Sequence, residues 1–172
     1  MTRHLRLAVA VAAGALVVAL VAPGVASAEA HDGHPAVEIT QGRVETLPSG
    51  AAIGYSVTGR ARMVRTAERT FVHVRVNISA PGQELPTTYP AHVHNAPCSE
   101  PTFGGGHYQH EAGIGPNYVN DVNEIWPTVN TGRSGRGHGH AFHSYRARPE
   151  AMSVVIHYPM DTSIRLACVD LA

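Results

Sequence analysis

The segment RTFVHVRVNIS, residues 69–79, has the clearest structural pattern in this chain. Its apolar side chains Val72, Val74, Val76 and Ile78 alternate with polar ones, which is the period of a β-strand with one buried face. Further short β-rich runs flank it between turns of Gly, Pro, Asn and Ser, at 37–40, 53–57, 61–64, 89–94, 138–145, 152–157 and 164–169. Since no window has a convincing helical period, we predict an all-β fold, an antiparallel sandwich or barrel of about eight strands.

Two glycine-rich stretches, residues 95–117 and 131–137, interrupt these runs. Glycine and proline in such clusters indicate loops, so both stretches are predicted to lack strands. The pattern of residues 117–130 favours no element. The chain also has no internal repeat, which excludes a repeat architecture.

The amino terminus has the composition of a secretory signal peptide. Two arginines precede an apolar run at 7–22, and small residues at 26–28 provide a cleavage site. A membrane anchor is the weaker interpretation, because the run is short, Pro and Gly follow it, and no second hydrophobic segment is present. We expect a secreted protein, extracellular or periplasmic, with a signal peptide at 1–28, a flexible tail at 29–35 and one domain at 36–172.

The charge pattern gives no support for a polyanionic partner. The 13 basic residues are all arginine, and 13 acidic residues balance them. No stretch of the sequence concentrates the arginines into a stripe. We therefore expect no nucleic acid partner, and no membrane partner once the signal peptide is removed. The sequence leaves the oligomeric state open.

The only two cysteines are Cys98 and Cys168. In an exported chain, two cysteines predict one disulfide, because the compartments outside the cytosol are oxidising. The alternative is a pair of free, buried thiols. A disulfide would give both residues a structural role.

Four of the 12 histidines stand where a metal ligand is favoured. His92 and His94 are two residues apart on a predicted strand, so both side chains leave the same face. His107 follows three glycines that let the backbone bend sharply, and His157 ends the apolar run SVVIH. Imidazole ligands suit copper and zinc, and a tetragonal arrangement of four nitrogens favours Cu(II). For the HVH motif alone, a solvent-exposed strand is the alternative.

These motifs resemble the copper-zinc superoxide dismutase family. The resemblance rests on the order HVH, a cysteine, GGGHYQH, VVIHY and finally RLACV, and it covers the carboxyl-terminal half of the chain. It implies a Greek-key barrel with a disulfide between the two cysteines. It further implies four copper ligands, namely His92, His94, His107 and His157. By the same resemblance, Arg165 holds the anionic substrate beside the metal.

Two departures from the family pattern point to its zinc-free, copper-only branch. The positions that match the remaining zinc ligands hold Gly115, Glu124 and Pro127. Only seven residues separate His157 from Arg165, too few for the long charged loop of the two-metal enzymes. The resemblance implies that Glu124 takes the place of zinc beside His107, and zinc is not expected. A zinc site that uses His110, Asp121 and Glu124 is the alternative.

The activity implied is conversion of superoxide to oxygen and hydrogen peroxide by copper alternating between Cu(II) and Cu(I). Arg165 is the candidate anchor for the O2 anion, and His107 is the candidate proton donor to the departing peroxide. One rival hypothesis is a secreted copper-binding module with little or no turnover. Another is a cupin-like enzyme that uses Glu100 with the HVH motif, which leaves the cysteines without a role.

The remaining histidines allow accessory metal binding. Cleavage after residue 28 would expose an amino terminus with His31 at its third position, a pattern that binds Cu(II), and His34 follows as a relay. A plain polar tail is the alternative. His138 and His140 share a predicted strand face, where solvent exposure is favoured over metal binding. We predict that His73 and His143 lie at the surface, and that His110 lies near the copper ligands or in an exposed loop.

Overall fold

The structure is a computed structural model that describes residues 36–80, 82 and 87–172. The predicted signal peptide and tail, with His31 and His34, lie outside the described residues. Within the described ranges there are nine strands and one short helix, so the all-β prediction is confirmed. The elements are β1 (Val37–Thr46), α1 (Pro48–Ala52), β2 (Ser56–Thr66), β3 (Thr70–Ser79), β4 (Thr88–Tyr89), β5 (Ala91–His94), β6 (Val129–Thr131), β7 (Arg136–His143), β8 (Ser153–Tyr158) and β9 (Asp161–Asp170).

The strands form one antiparallel sheet that nearly closes into a barrel, in the order β4-β6-β7-β3-β2-β1-β9-β8-β5. Its two end strands, β4 and β5, are consecutive in the chain and are separated by Pro90 alone. β4 pairs with β6, and β5 pairs with β8. Proline has no N–H to donate, so it suits the point where the segment passes from one partner to the other. The segment 88–94 therefore joins the two edges of the sheet.

The connections are those of a Greek key. The segment 88–94 pairs with β8 on one side, through β5, and with β6 on the other side, through β4. β7 lies beyond β6. The chain runs from β7 to β8 across that segment, which gives the spatial order of a Greek-key motif. This arrangement places β5 and β8 side by side, and both carry predicted copper ligands.

The segment 69–79 forms the strand that its alternating pattern predicts. In β3, Val72, Val74, Val76 and Ile78 are buried, and the residues between them face outward. They pack in one core with the inward side chains of β2, β8 and β9. Full burial of a side chain of this size stabilises the fold by about 1.5–3 kcal/mol. The core fills the barrel beneath the histidine-bearing strands.

Several predicted boundaries are corrected by the structure. The runs 53–57 and 61–64 are not two strands, because residues from Ser56 onward belong to the single long strand β2. The five-residue helix α1 was not predicted, since it is too short to show a helical period. The predicted loop 95–117 contains no named strand, whereas the loop predicted at 131–137 is limited to 132–135.

The predicted disulfide is present between Cys98 and Cys168. It ties the loop after β5 to β9, and the Cys98 N–H also donates to the Asp170 carboxylate at 2.7 Å. In the described ranges no helix is long and apolar enough to span a membrane.

Reduction of the disulfide is expected to lower the melting temperature by about 10 °C. The bond closes a loop of 70 residues, and removal of such a constraint on the unfolded chain costs about 2–4 kcal/mol. Calorimetry with and without reductant measures the effect. A double variant, Cys98→Ala with Cys168→Ala, is the control and should not respond to reductant. Equal melting temperatures of the native protein in both conditions would contradict the prediction.

Candidate metal centre

The four predicted copper ligands lie together. One ring nitrogen from each of His92, His94, His107 and His157 lies within 4.8 Å of the others. His92 and His94 leave the same face of β5, as their spacing predicts, and their ring centroids are 6.4 Å apart. His157 comes from the neighbouring strand β8, and its backbone N–H donates to Pro90 O at 2.8 Å. The barrel therefore supplies three of the four rings from two paired strands.

The second ring nitrogen of three histidines is occupied by protein groups. Nδ1 donates to Gly105 O at 3.3 Å in His94, to Thr162 O at 2.6 Å in His157, and to the Glu124 carboxylate at 2.7 Å in His107. A hydrogen bond of this kind fixes the tautomer and the ring orientation of a metal ligand. Each of these rings thereby keeps Nε2 for an ion.

Three of the remaining ring nitrogens are buried and lack partners. Among the described residues, Nδ1 of His92 and Nε2 of both His94 and His157 have no hydrogen-bond partner. A buried polar atom without a partner costs about 1–3 kcal/mol. Three such atoms in one cluster could bind a metal ion through their lone pairs. The donor set therefore fits a metal of the copper or zinc class.

Electrostatics keep these rings neutral. Burial lowers the pKa of His92 to about 3, with a further contribution from the neighbouring rings. Burial also lowers the pKa of His157 to about 4 and depresses that of His94. Only neutral imidazole binds a metal ion, so protons do not compete for these three nitrogens near neutral pH.

The glycine run before His107 shapes the loop as the sequence predicts. Gly104 and Gly105 have φ of 109° and 69°, in the left-handed region that favours glycine. Asn95 fastens the loop, since its side-chain oxygen accepts the Gly106 N–H at 2.9 Å. The backbone of His107 then pairs with that of His94. This turn brings the fourth ring to the three on the barrel.

The Gly104→Ala variant is expected to destabilise the fold by about 2 kcal/mol and to weaken metal binding. An alanine at this position would have a strained backbone φ, and its Cβ would lie 2.8 Å from Val155 Cγ2 and 3.3 Å from His94 Cβ. Gly106→Ala is the matched control, because its Cβ would meet no other atom closer than 3.8 Å. Urea unfolding and copper titration of both variants test this. Equal losses in the two would contradict a specific role for Gly104.

Glu124 is a buried carboxylate at the centre of a hydrogen-bond network. It is 1% exposed, and its oxygens accept from three side chains: His107 Nδ1 at 2.7 Å, Trp126 Nε1 at 2.9 Å and Gln109 Nε2 at 3.1 Å. The backbones of Gln109 and Glu124 pair with each other, which holds the carboxylate against the loop of His107. The structure thus brings Glu124 to His107, as the family spacing implies.

Two members of this network were not predicted from the sequence. Gln109 and Trp126 each stand two residues from a predicted site residue, so an extended backbone places them on the same side. The Trp126 ring also packs edge-on against His92, with centroids 5.5 Å apart. The sequence contains two signals for these residues: the spacing of two from a predicted site residue and, for Trp126, its being the one tryptophan of the chain.

Arg165 lies directly opposite His157 in the pairing of β8 with β9. Its guanidinium donates to the carbonyls of Thr102, Phe103 and Gly105, the last two at 2.9 and 2.8 Å. Gly105 O also accepts from His94 Nδ1. Arg165 therefore places a positive charge beside the cluster and also braces the loop that carries His107.

The centre is open on one side. His94 is fully buried, whereas the side chain of His107 is 31% exposed. Tyr158 pairs with Asp161 across a turn of two residues, so β8 and β9 form a tight hairpin. Short spacing between His157 and Arg165 predicted this, and no long loop covers the rings from that side. The His107 side chain is therefore a part of the cluster that solvent reaches.

The other candidate ligands lie elsewhere. Across the described ranges, the four-histidine cluster is the only group of three or more His, Cys, Asp or Glu residues that could hold a metal ion. His110 stacks on Tyr145 with centroids 3.8 Å apart, and Asp121 is exposed. Glu100 hydrogen-bonds to Thr102 rather than joining the cluster, so the cupin-like ligand set does not form.

The positions of the surplus histidines are mixed. His138 and His140 are exposed on β7, and His73 is partly exposed on β3. The surface prediction for His143 is wrong, because it occupies an inward position at the end of β7 and is 7% exposed. Its ring packs against Tyr145 at 4.8 Å.

No family model matches the chain, and no curated protein matches it in a sequence search. The histidine cluster and the residues that touch it are therefore the basis on which a function can be assigned.

Proposed function

We propose that the protein is an exported superoxide dismutase that uses copper alone, similar to the zinc-free branch of the copper-zinc superoxide dismutase family. One observation carries the proposal: four ring nitrogens converge while Glu124, a protein carboxylate, occupies Nδ1 of the exposed ligand His107. In a two-metal centre that nitrogen would face zinc. Because a carboxylate is already hydrogen-bonded to that nitrogen, we expect the site to bind a single metal ion.

Copper suits this donor set. His92, His94, His107 and His157 offer nitrogen only, and four nitrogens without thiolate or carboxylate favour Cu(II) among the common metals. When bound, copper would supply one-electron chemistry by cycling between Cu(II) and Cu(I). The buried nitrogens without partners are the feature of the chain that supports its presence.

Arg165 attracts and positions the substrate. Superoxide is a small monoanion, and the guanidinium is permanently charged and placed next to His157 and the loop of His107. Burial and then the neighbouring imidazoles lower the pKa values of His94 and His157, and the charge of Arg165 adds a smaller effect in the same direction, so its field reaches the cluster. In the absence of a long β8–β9 loop, this one fixed charge steers the anion.

His107 handles protons. In the pair that His107 forms with Glu124, the imidazole is the accessible partner, because its side chain is 31% exposed and that of Glu124 is 1% exposed. Peroxide needs two protons to leave as hydrogen peroxide. The carboxylate fixes the Nδ1–H tautomer and holds the ring in place, so that Nε2 is the atom that exchanges a proton with the product. Trp126 and Gln109 hold the carboxylate in turn.

Export is part of the proposal. Both cysteines of the chain are consumed by the disulfide, which is typical of oxidising compartments. The predicted signal peptide at 1–28 agrees with this and stays a prediction. An extracellular or periplasmic location would also place the enzyme where it meets superoxide from outside sources.

Reconstitution with both metals is expected to give one copper per chain and no stoichiometric zinc. Elemental analysis of the purified protein, together with superoxide consumption in pulse radiolysis, measures both parts of the proposal. Firmly bound zinc at one ion per chain would overturn the copper-only assignment. The copper-free protein is the control for background turnover.

A copper-binding module with little turnover is the second candidate. It is favoured by the fact that Arg165 already donates to three loop carbonyls, which is also what a purely structural arginine would do. The two candidates bind copper equally and differ in rate. Full copper loading without superoxide consumption would support the module and reject the enzyme.

A further inference from the structure

The outer face of β1, β2, β3 and β7 collects arginines that are far apart in the sequence. Strand pairing places Arg43 opposite Arg60, Arg60 opposite Arg75, and Arg75 opposite His138, so that one row of positive and basic side chains crosses four strands. A second row beside it contains Gln41, Arg62, His73 and His140. We call these two rows, with Arg136 at the end of β7, the basic face.

The basic face has almost no acidic counterpart. The arginines that form ion pairs in the described part of the chain are Arg65, Arg146 and Arg148, none of which belongs to it. The one acidic residue at an exposed position of these four strands is Glu45, near the end of β1. Like charges directly opposite each other destabilise a sheet, so the fold gains nothing from this arrangement. A negatively charged surface outside the protein would balance it.

A groove crosses the basic face beside the row of Arg60, Arg75 and His138. It has a volume of about 760 Å³. Its lining includes these three residues together with Arg136, Gly59 and Gly137. The guanidinium groups that line it can converge on one anionic group. The size suits a phosphate with part of its organic substituent.

An apolar row borders the basic face at one end of the same strands. Pairing aligns Ile39, Val64, Phe71 and Phe142 across β1, β2, β3 and β7. Ile39, Phe71 and Phe142 are 51%, 41% and 60% exposed. They lie two residues from the nearest basic row, which is about 7 Å along a strand. Exposed apolar groups in line mark an interaction surface.

The basic face and the metal centre lie on different walls of the barrel. In the order of strands, β2 and β3 are separated from β5 and β8 by other strands on both sides. A large partner on the basic face would therefore leave the opening at His107 free. Both sites can function at the same time.

We propose that the basic face and its apolar row dock the protein on a membrane surface rich in anionic phospholipid. The arginines would contact lipid phosphates, and Ile39, Phe71 and Phe142 would enter the boundary between headgroups and acyl chains. A soluble polyanion such as nucleic acid or an acidic polysaccharide would use the arginines but leave the aliphatic part of the apolar row in water. A second copy of the chain would bring two arginine-rich faces together and be repelled. Neither arrangement uses the whole surface.

The linear sequence does not show this surface. It contains no stripe of arginines along the chain and so predicts no membrane partner. Arg43, Arg60 and Arg75 belong to three different strands, and their alignment follows from register alone.

Vesicle sedimentation of the copper-loaded protein tests the proposal. We expect binding to vesicles of phosphatidylcholine with about one third phosphatidylglycerol, and none to phosphatidylcholine alone. The double variant Arg60→Gln with Arg75→Gln should bind about 25-fold more weakly, since each arginine near an anionic surface contributes about fivefold. Phe142→Ala should weaken binding by about tenfold, a loss that persists at high salt.

The control is Arg133→Gln with Arg148→Gln, which removes the same charge from exposed positions that lie outside the strands of the basic face and do not flank the apolar row. It should bind vesicles nearly as well as the unmodified protein, and all variants should retain one copper per chain, which reports on folding. Equal weakening in the two double variants would overturn the proposal, because it would show dependence on net charge alone. Binding to single-stranded DNA or a sulfated polysaccharide without binding to anionic vesicles would also overturn it.

Discussion

The Glu124→Ala variant is expected to lose about 3–5 kcal/mol of unfolding free energy, a large share of the stability of a domain this size. Glu124 is fully buried, and its removal leaves the donors of His107, Trp126 and Gln109 without their acceptor. Partly buried donors that lose their acceptor are costly because water replaces it only in part. Urea unfolding of the metal-free protein measures the loss.

The same variant is expected to reduce superoxide consumption by about 10- to 100-fold per bound copper. Without the carboxylate, Nδ1 of His107 has no fixed partner, and the ring loses both its tautomer and its orientation. Glu124→Gln keeps the volume but replaces one acceptor oxygen by a donor, so it should fall between Glu124→Ala and the unmodified protein in both measurements. Pulse radiolysis at matched copper content gives the rates.

Glu111→Ala provides the control for Glu124. Glu111 is an exposed carboxylate in the same loop, and it lies outside the hydrogen-bond network of the centre. Its removal should change unfolding free energy by less than about 0.5 kcal/mol and leave turnover unchanged. If Glu124→Ala behaved in the same way, Glu124 would have no role in holding His107.

The parts of the fold that depend on local pattern could be predicted. The alternation in residues 69–79 gave β3, because every second side chain enters the core. The same holds for the histidines: the HVH spacing and the glycine run before His107 determine where the rings point before any tertiary contact forms. Helix α1 escaped prediction since five residues do not complete two helical turns.

The parts that depend on register could not be predicted. Nothing local shows that Glu124 is buried, because carboxylates are rarely buried and only the donors around it make this stable. His143 also looked like a surface residue, and its burial follows from the inward phase of β7. The row of Arg43, Arg60 and Arg75 is invisible in the sequence for the same reason. Each depends on which residues of distant strands stand opposite one another.

Arg165→Glu is expected to lower kcat/KM for superoxide by at least about tenfold, equivalent to ~1.4 kcal/mol of transition-state stabilisation. The change replaces the positive charge beside His157 with a negative one, which repels the substrate. It also puts a carboxylate against the carbonyls of Phe103 and Gly105, so the loop of His107 should loosen. Rates at low and high ionic strength, with copper content measured in parallel, describe the effect.

The two roles of Arg165 are separated by milder variants. Arg165→Lys keeps the charge but cannot reach three carbonyls in the same planar geometry, whereas Arg165→Gln keeps hydrogen-bonding ability and removes the charge. If attraction of the anion dominates, Arg165→Lys should retain most of the rate and its salt dependence, and Arg165→Gln should lose both. If bracing of the loop dominates, both variants should lower the melting temperature and copper affinity together.

Arg133→Gln, an exposed change of equal charge, controls for net charge. Unchanged turnover in Arg165→Glu at low ionic strength would remove this residue from catalysis and favour the copper-binding module, because a module that does not turn over needs no anchor for an anion.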